Sequence, residues 1–396
     1  MKFTVIGITD APQPFFPPEV LEIIAQGQVF SGGKRHHTIV EPFLPVGAQW
    51  IDITAPLDAV FEQYRGDVIV FASGDPLFFG FASTIRQRLP EAHIVLYPSF
   101  NSLQTLAHRL VMPYHDMRII SLTGRPWTEL DRALIERTHK MGVLTDRTHT
   151  PATIAQRLLD YGYDSYTMHV GEHLGNPACE RITSLSLDKA SESSFDYPNC
   201  LILTSSRTRH RLYGIPDSAF ALLNGREKMI TKMPIRLLSL QAMELPRKTV
   251  MWDIGFCTGS VSIEARCQFP HLHIEAFEIR PEGEQLMTEN CRRMGTPGIG
   301  IHIGDFLQTD IDVLPQPDAV FIGGHGGRLK EIMAKVYPRL AAGGCIVMNS
   351  VTSQVAHTAS RQLWDEACAE LDLQQQPSLH IVLNNFNPIE ILKCIK

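Results

Sequence analysis

Short apolar runs of strand length alternate with amphipathic runs of helix length along the whole chain, and the series stops and starts again once. The first series opens with "FTVIGI". "PPEVLEIIAQG" follows, a helix opened by Pro and closed by Gly, and then "VFSGG". "DVIVFAS" is an apolar strand running into "GDP". After it come helix "FGFASTIRQRL", strand "HIVLYP", helix "SLQTLAHRL" and strand "RIISLTG". "KMGVLTD", "ATIAQRLLDYG", "YTMHVGE" and "NCLILTS" continue the pattern. Such alternation implies an α/β architecture with mainly parallel strand pairing. The pattern lapses at "SSRTRHR", residues 205–211, a basic run of the kind that is usually a solvated linker. It resumes with "MITKMPIRLLSLQAM", a strand entering "DIGFCTGS", and then "HIEAFEI", "IGIHIGD", "DAVFIGG" and "GCIVMNS". A single core rarely grows to 396 residues. Two domains are therefore expected, 1–205 and 206–396, without sequence repeat between them.

The net charge of −6 offers no whole-chain basic field for nucleic acid. The 8 cysteines are scattered with no CxxC pair, which points to a reducing cytoplasm and against a zinc site or disulfide framework. No run reaches membrane-spanning length, and "MKFTVIGITDAP" reads as a first strand and not as a signal sequence. The expectation is a cytoplasmic protein that handles a small molecule, with no metal, nucleic acid or membrane partner.

The most informative stretch is "DIGFCTGS", residues 253–260. It follows the apolar "TVMW" and leads into a helix, so its backbone N–H groups collect at a helix N-terminus where an anionic ligand group can sit. Asp253, Gly255, Thr258, Gly259 and Ser260 are candidate ligand contacts. Glu278 lies 19 residues beyond Gly259, the spacing at which an acid binds ribose hydroxyls. Gly304 and Asp305 end the next strand, beside the expected adenine position. NAD and S-adenosylmethionine (SAM) both suit a Gly loop followed by an acid. Asp253, two residues before the first Gly, would repel a pyrophosphate and suits the ammonium of SAM. Cys257 stands where a middle Gly is usual. No basic neighbour in sequence would activate its thiol, so it reads as a small packed residue.

These residues also carry a resemblance. "MITKMPIRLLSLQAMELPRKTVMWDIGFCTGSVSIEA", "DAVFIGGHGG" and "GGCIVMNSVT" resemble the cobalamin-pathway methyltransferases that act on C15 of a corrin precursor and remove a carboxyl group. "FASGDPLFFG", "YPSFNSLQ", "ISLTGRPW", "VLTDRTHTPATIAQRLLDYG" and "GEHLGNPACERI" resemble the C5 methyltransferases of the tetrapyrrole methylase family. Fused in this order, they resemble the decarboxylating precorrin-6Y C5,15-methyltransferases over nearly the whole chain. Two departures stand out: Cys257 where that family commonly has Gly, and "GITDAPQPFF" where it commonly has a Gly-rich turn.

The resemblance implies a tetrapyrrole methylase fold of two α/β subdomains, followed by a Rossmann-like methyltransferase domain, with one SAM site in each. In the first half Ser73, Gly74, Asp75, Phe78, Ser102 and Leu103 would line the SAM site. The substrate would be a reduced macrocycle rich in carboxylates, which require cationic and backbone donors when buried. Candidate donors are Arg125, Thr231, Lys232, Arg236 and Arg328, with Gly324, Gly326 and Gly327 allowing a flat ligand to approach. Methyl transfer from a sulfonium mainly needs positioning and desolvation. Decarboxylation needs a proton, for which His325 is the candidate donor. The pair His36–His37 reads as surface polar sequence and not as metal ligands. Homo-oligomers are expected by analogy with relatives of both halves. An RNA methyltransferase is the competing reading. The acidic balance opposes it, as does "FIGGHGG" where an Asn/Asp-Pro-Pro-aromatic motif would stand.

Overall fold

The computed structural model describes residues 1–205, 207, 211–225, 229–351, 356–382 and 388–396. Most of the expected linker, residues 206 and 208–210, lies outside the described residues. The chain forms two compact units. The first comprises Met1–Pro126, His139–Leu159 and Asp164–Arg207. The second comprises Trp127–Thr138, Asp160–Tyr163 and Thr208–Lys396. Among the described residues no helix is long and apolar enough to cross a membrane.

The first unit holds two five-stranded sheets. Strands β1 (Lys2–Ile8), β2 (Val29–Gly32), β3 (Gln49–Asp52), β4 (Val68–Ser73) and β5 (His93–Tyr97) pair in parallel in the order β3-β2-β4-β1-β5. Both faces of this sheet are covered. Phe3, Val5, Val68 and Val70 pack on one side with Tyr64 and Ile85, while Ile6, Ile8, Ile69 and Phe71 pack on the other with Ile24 and Phe30. Burial on both faces is why "FTVIGI" and "VIVFA" read as continuous apolar runs. Each such side chain contributes roughly 1.5–3 kcal/mol on burial.

The second sheet contains β6 (Arg118–Ser121), β7 (Lys140–Leu144), β8 (Tyr166–Glu172), β9 (Arg181–Ser186) and β10 (Asn199–Ser205), ordered β6-β7-β10-β8-β9. Only β6 and β7 pair in parallel. The β7–β10, β10–β8 and β8–β9 pairs are antiparallel, which corrects the expectation of mainly parallel pairing for this sheet. The edge strand β9, "RITSLS", lacks the apolar content that marks a strand in sequence and is nowhere fully buried. The adjoining helix Ser102–Arg109 is started by a reciprocal cap: Gln104 N–H donates to Asn101 Oδ1 at 2.9 Å and Asn101 N–H to Gln104 Oε1 at 3.0 Å.

The second unit is built on β11 (Val250–Ile254), β12 (His273–Glu278), β13 (Ile299–Ile303), β14 (Ala319–Ile322), β15 (Cys345–Val351), β16 (Gln374–Gln375), β17 (Leu379–Ile381) and β18 (Ile389–Ile395). The order is β13-β12-β11-β14-β15-β18-β16, with β17 also on β18. Pairing is parallel from β13 through β15, and β18 runs antiparallel. The central β11 sends Trp252 into one core and Met251 into the other, both with 0% exposure. The chain leaves β11 first towards β12 and later returns on its other side as β14. The strand order reverses there, and in open α/β sheets ligands sit at such a crevice, beyond the strand C-termini.

Candidate active sites

In the first unit the C-terminal ends of both sheets open onto one cleft of about 890 Å³. It is lined from Ile8 at the end of β1, Gly33 after β2, Ser73 at the end of β4, Ser121 at the end of β6, Thr145 after β7 and Cys200 near the start of β10. That volume suits a cofactor-sized ligand. Two glycines bring the backbone close at its floor. Gly74 has φ +60°, and a Cβ there would lie 2.7 Å from Asn101 Cα. A Cβ on Gly7 would lie 1.8 Å from the Gly74 carbonyl oxygen. The "GITD" turn therefore keeps its one essential glycine.

Of the six cofactor-side candidates in this half, Ser73, Gly74, Phe78 and Ser102 line the cleft. Asp75 and Leu103 do other work. Asp75 Oδ1 accepts from Leu77 N–H at 2.8 Å, closing its own turn, and Leu103 is fully buried in the core with Leu106, Met117 and Ile202. Arg125, a substrate candidate, also lines the cleft. Its Nη1 donates to Ser121 Oγ at 2.9 Å, and its guanidinium lies 5.3 Å from the centroid of the Phe79 ring.

Arg35 and His36 also line the cleft, which the sequence reading missed. Arg35 bridges Asp10 at 3.1 Å and Ser73 Oγ at 3.1 Å, and His36 Nε2 lies 2.9 Å from Ser73 Oγ. Burial, aided by the Arg35 charge, lowers the His36 pKa to about 4, so its ring is neutral near pH 7. Cys200 is no nucleophile, because burial pushes its thiol up to about 12.

In the second unit the loop after β11 is held open by left-handed residues: Gly255 (φ +78°), Cys257 (φ +52°) and Gly259 (φ +72°). A Cβ on Gly255 would lie 2.7 Å from Gly324 N, so this loop packs backbone to backbone against the "GGHGG" loop after β14. Nothing lies within 4 Å of a Cβ built on Gly324, Gly326 or Gly327, which leaves space over that second loop. Ser260 begins the helix Ser260–Gln268 and is buried.

The acids at these strand ends do not face open space, as the sequence reading had supposed. Asp253 has 0% exposure. Its Oδ2 accepts from Ser262 Oγ at 2.5 Å, and burial raises its pKa to about 7. Glu278, 2% exposed, accepts from Cys257 N–H at 2.9 Å and from Arg280 N–H and Nη1 at 3.0 Å. Both carboxylates brace the loop: Asp253 through the first turn of its helix, Glu278 through the N–H of Cys257. Gly304 follows β13, its N–H donating to Glu278 O at the end of β12 at 2.9 Å. Asp305 caps a short turn through Leu307 N–H and pairs with Arg328 Nη2 at 2.8 Å. That pairing lowers the Asp305 pKa and ties a cofactor-side candidate to a substrate-side one.

Arg236 is corrected outright. It has 0% exposure and cannot reach a substrate. Its guanidinium bonds Glu264 at 3.1 Å, Asp217 at 3.3 Å, the Thr231 carbonyl at 2.8 Å and the Ile215 carbonyl. Thr231 serves that arginine through its backbone, and Lys232 lies 3.7 Å from Asp217. "TKMPIR" is thus a structural clasp. His325 is half-buried in the "GGHGG" loop. Its Nδ1 accepts from Gly327 N–H at 3.2 Å, so the ring proton sits on Nε2, and burial lowers its pKa. Burial raises the pKa of the Cys257 thiol, in keeping with a packed residue.

Two buried polar atoms of this loop, Asp253 Oδ1 and Thr258 Oγ1, have no hydrogen-bond partner among the described residues. Buried polar groups are almost always paired. Two unmet groups beside a left-handed glycine loop and a helix N-terminus fit a site that a polar, positively charged ligand completes.

The two architectures match two known families. Residues 11–191 match the tetrapyrrole (corrin/porphyrin) methylases, and residues 223–375 match the precorrin methyltransferase domain. The chain is therefore a SAM-dependent methyltransferase assembled from two methylase folds. A precorrin-6Y C(5,15)-methyltransferase [decarboxylating] from Sinorhizobium sp is 30% identical over 89% of this chain and 85% of its own length. The chain belongs to that family. Single-function relatives match shorter stretches. The cobalt-precorrin-6B C(15)-methyltransferase (decarboxylating) of Salmonella typhimurium is 34% identical over 44% of this chain and 93% of its own. The cobalt-precorrin-7 C(5)-methyltransferase of the same organism is 29% identical over 43% of this chain and 84% of its own.

Proposed function

We propose that this chain methylates a precorrin-type macrocycle at C5 and C15 and removes the carboxyl group of the ring-C acetate, as a step of cobalamin biosynthesis. The N-terminal half, 1–205, carries the C5 reaction. The C-terminal half, 206–396, carries the C15 reaction and the decarboxylation. Each half holds one SAM. The observation that supports this reading is a glycine loop packed backbone to backbone at the strand ends of each unit, in a chain similar along 89% of its length to a relative named for both reactions.

SAM supplies an activated methyl group on a good leaving group. The protein's task is then to hold that methyl in line with the nucleophilic carbon and to exclude water. In the first half Ser73, Gly74, Phe78 and Ser102 form the SAM wall, and Arg125 holds a macrocycle carboxylate. In the second half the Gly255–Ser260 loop receives SAM, with Asp253 and Glu278 setting the shape of the loop. Gly304 and Asp305 border the adenine. Gly324, Gly326 and Gly327 lie under the macrocycle, and Arg328 pairs with one of its carboxylates. His325, first protonated to the imidazolium, delivers the proton that replaces the lost carboxyl group and returns to the neutral ring. The enzyme works in the cytoplasm as a homo-oligomer, with neither nucleic acid nor membrane as partner.

The test is an anaerobic incubation of the full chain with SAM and precorrin-6B, or its cobalt form, followed by mass spectrometry of the tetrapyrrole. The expected product gains two methyl groups and loses one carboxyl group. SAM binding with no change to either macrocycle would overturn the reading.

A further inference from the structure

Ser73 is the one cleft-lining residue whose hydroxyl stands between Arg35 and His36, at 3.1 and 2.9 Å. A guanidinium only donates. The His36 tautomer is fixed from the other side of its ring, because Gly33 N–H donates to Nδ1 at 3.3 Å, which leaves the proton on Nε2. Both neighbours therefore donate to Ser73 Oγ, and neither can accept its proton. That proton remains for an acceptor in the cleft, where Ser73 is exposed.

Arg35 is similarly prepared. Its Nη1 pairs with Asp10 at 3.1 Å and its Nη2 donates to Ser73, and a guanidinium carries five N–H groups. Asp10, with His173 Nδ1 at 3.7 Å on its other oxygen, fixes the arginine in place. The charged groups lining the cleft are Asp10 against Lys34, Arg35 and Arg125, a balance that favours an anion. A low pKa keeps His36 neutral, so it acts as a fixed donor and not as a base.

We propose that Arg35, His36 and Ser73 form a carboxylate-receiving corner of this cleft, in which Ser73 gives its hydroxyl proton and Arg35 its remaining N–H groups to one ligand carboxylate. The inference rests on the reading above that this half binds SAM and a polycarboxylate macrocycle. Either ligand can supply the carboxylate.

The test uses the full chain and the variants Arg35→Gln, Arg35→Lys and Ser73→Ala, each first shown by thermal unfolding to be folded like the wild type. C5 methylation is followed by mass spectrometry with macrocycle varied, and S-adenosylhomocysteine is titrated by calorimetry. A macrocycle carboxylate requires KM for the macrocycle to rise at least tenfold in Arg35→Gln and severalfold in Ser73→Ala. In that case Arg35→Gln keeps kcat and S-adenosylhomocysteine binding, and Arg35→Lys recovers part of the loss. A cofactor carboxylate requires instead that one of the S-adenosylhomocysteine sites weaken at least tenfold while the macrocycle KM holds. Unchanged values for both ligands in Arg35→Gln and Ser73→Ala would overturn the corner. Absence of C5 methylation by the wild-type chain would overturn the function assigned to this half, a separate failure.

Discussion

The two units place polar side chains at their strand ends in opposite ways. In the first, Ser73, Arg35, His36 and Arg125 line open space, with Arg35 and His36 both bonded to Ser73 at its edge. In the second, Asp253 and Glu278 turn inward against the loop they support, Glu278 bonded to the Cys257 N–H and Asp253 through one oxygen to Ser262, its other oxygen left without a partner among the described residues. A carboxylate in a sheet crevice can meet a ligand or hold the backbone that does. The choice is set by whether nearby N–H groups have another acceptor. Around Glu278 the N–H of Cys257 points to its carboxylate, and the acid is drawn in. The glycine floors, in contrast, are alike. Gly7 and Gly74 touch backbone to backbone in one unit, as Gly255 and Gly324 do in the other.

The likeness of the floors yields the largest expected effect. Gly7→Ala would press a Cβ to 1.8 Å from the Gly74 carbonyl, and Gly255→Ala to 2.7 Å from Gly324 N. Backbone cannot move aside cheaply, and overpacking of this kind costs about 1–3 kcal/mol or more. Gly7→Ala is expected to lower C5 methylation at least a hundredfold and spare C15 methylation and decarboxylation. Gly255→Ala should do the reverse. Mass spectrometry of the product, with thermal unfolding as a control, checks both. Loss of both reactions in either folded variant would break the assignment of one reaction to each unit.

Next in size is Arg236→Met. The sequence offered this arginine as a substrate contact, yet it is buried against Glu264 and Asp217. Removing one partner of a buried ion pair strands the other, at a cost of about 3–5 kcal/mol. The midpoint of urea unfolding is expected to fall sharply. The macrocycle KM of the protein that remains folded should stay as it was. A raised KM with unchanged stability would return Arg236 to the binding surface.

These residues show what was legible in the sequence. The central parallel strands of the first and third sheets were readable, because burial on two faces writes itself as continuous apolar runs; β3 and the C-terminal strands β16, β17 and β18 were not. The two glycine loops were readable because positive φ values select glycine. Strand β9 escaped because "RITSLS" lies at an edge and buries little. Arg35 and His36 escaped because "KRHH" has the composition of a surface helix, and only the approach of Ser73 from β4, 37 residues on from His36, turns it to the cleft. Spacing located Asp253 and Glu278 correctly along the chain. The direction of a side chain depends on donors that come from elsewhere in the fold, and spacing carries no record of them.

The inward turn of Asp253 has a pH signature. Its folded pKa is about 7, against an ordinary 3.8. The native state therefore holds a proton that the unfolded chain releases near pH 4. Its contribution to stability falls as pH rises from about 4 to about 7 and is level above that. The whole difference is on the order of 4 kcal/mol. Asp253→Asn is expected to remove this slope, so that the variant gains on the wild type between pH 4.5 and pH 8 in urea unfolding. A parallel pH profile for the two proteins would mean that Asp253 is ionised in the folded chain.

The smallest effect bears on the one place where the two floors differ. Gly74 holds φ +60° without a side chain, while Cys257 holds φ +52° with one. A left-handed residue with a Cβ carries roughly 1–2 kcal/mol of strain. Glycine would relieve that strain and give back part of the gain as unfolded-chain entropy. Cys257→Gly is therefore expected to stabilise the folded chain by about 0.5–1 kcal/mol. The thiol is raised in pKa and forms no part of the proposed chemistry, so C15 methylation should persist. Calorimetric titration of S-adenosylhomocysteine decides what the Cβ does to the site. Tighter binding at the Gly255–Ser260 loop would show that Cys257 narrows it. Equal binding would show that the thiol is only packing. A loss of C15 methylation with binding intact would give the thiol a role in the reaction, and the left-handed residue of the second loop would then do more than shape it.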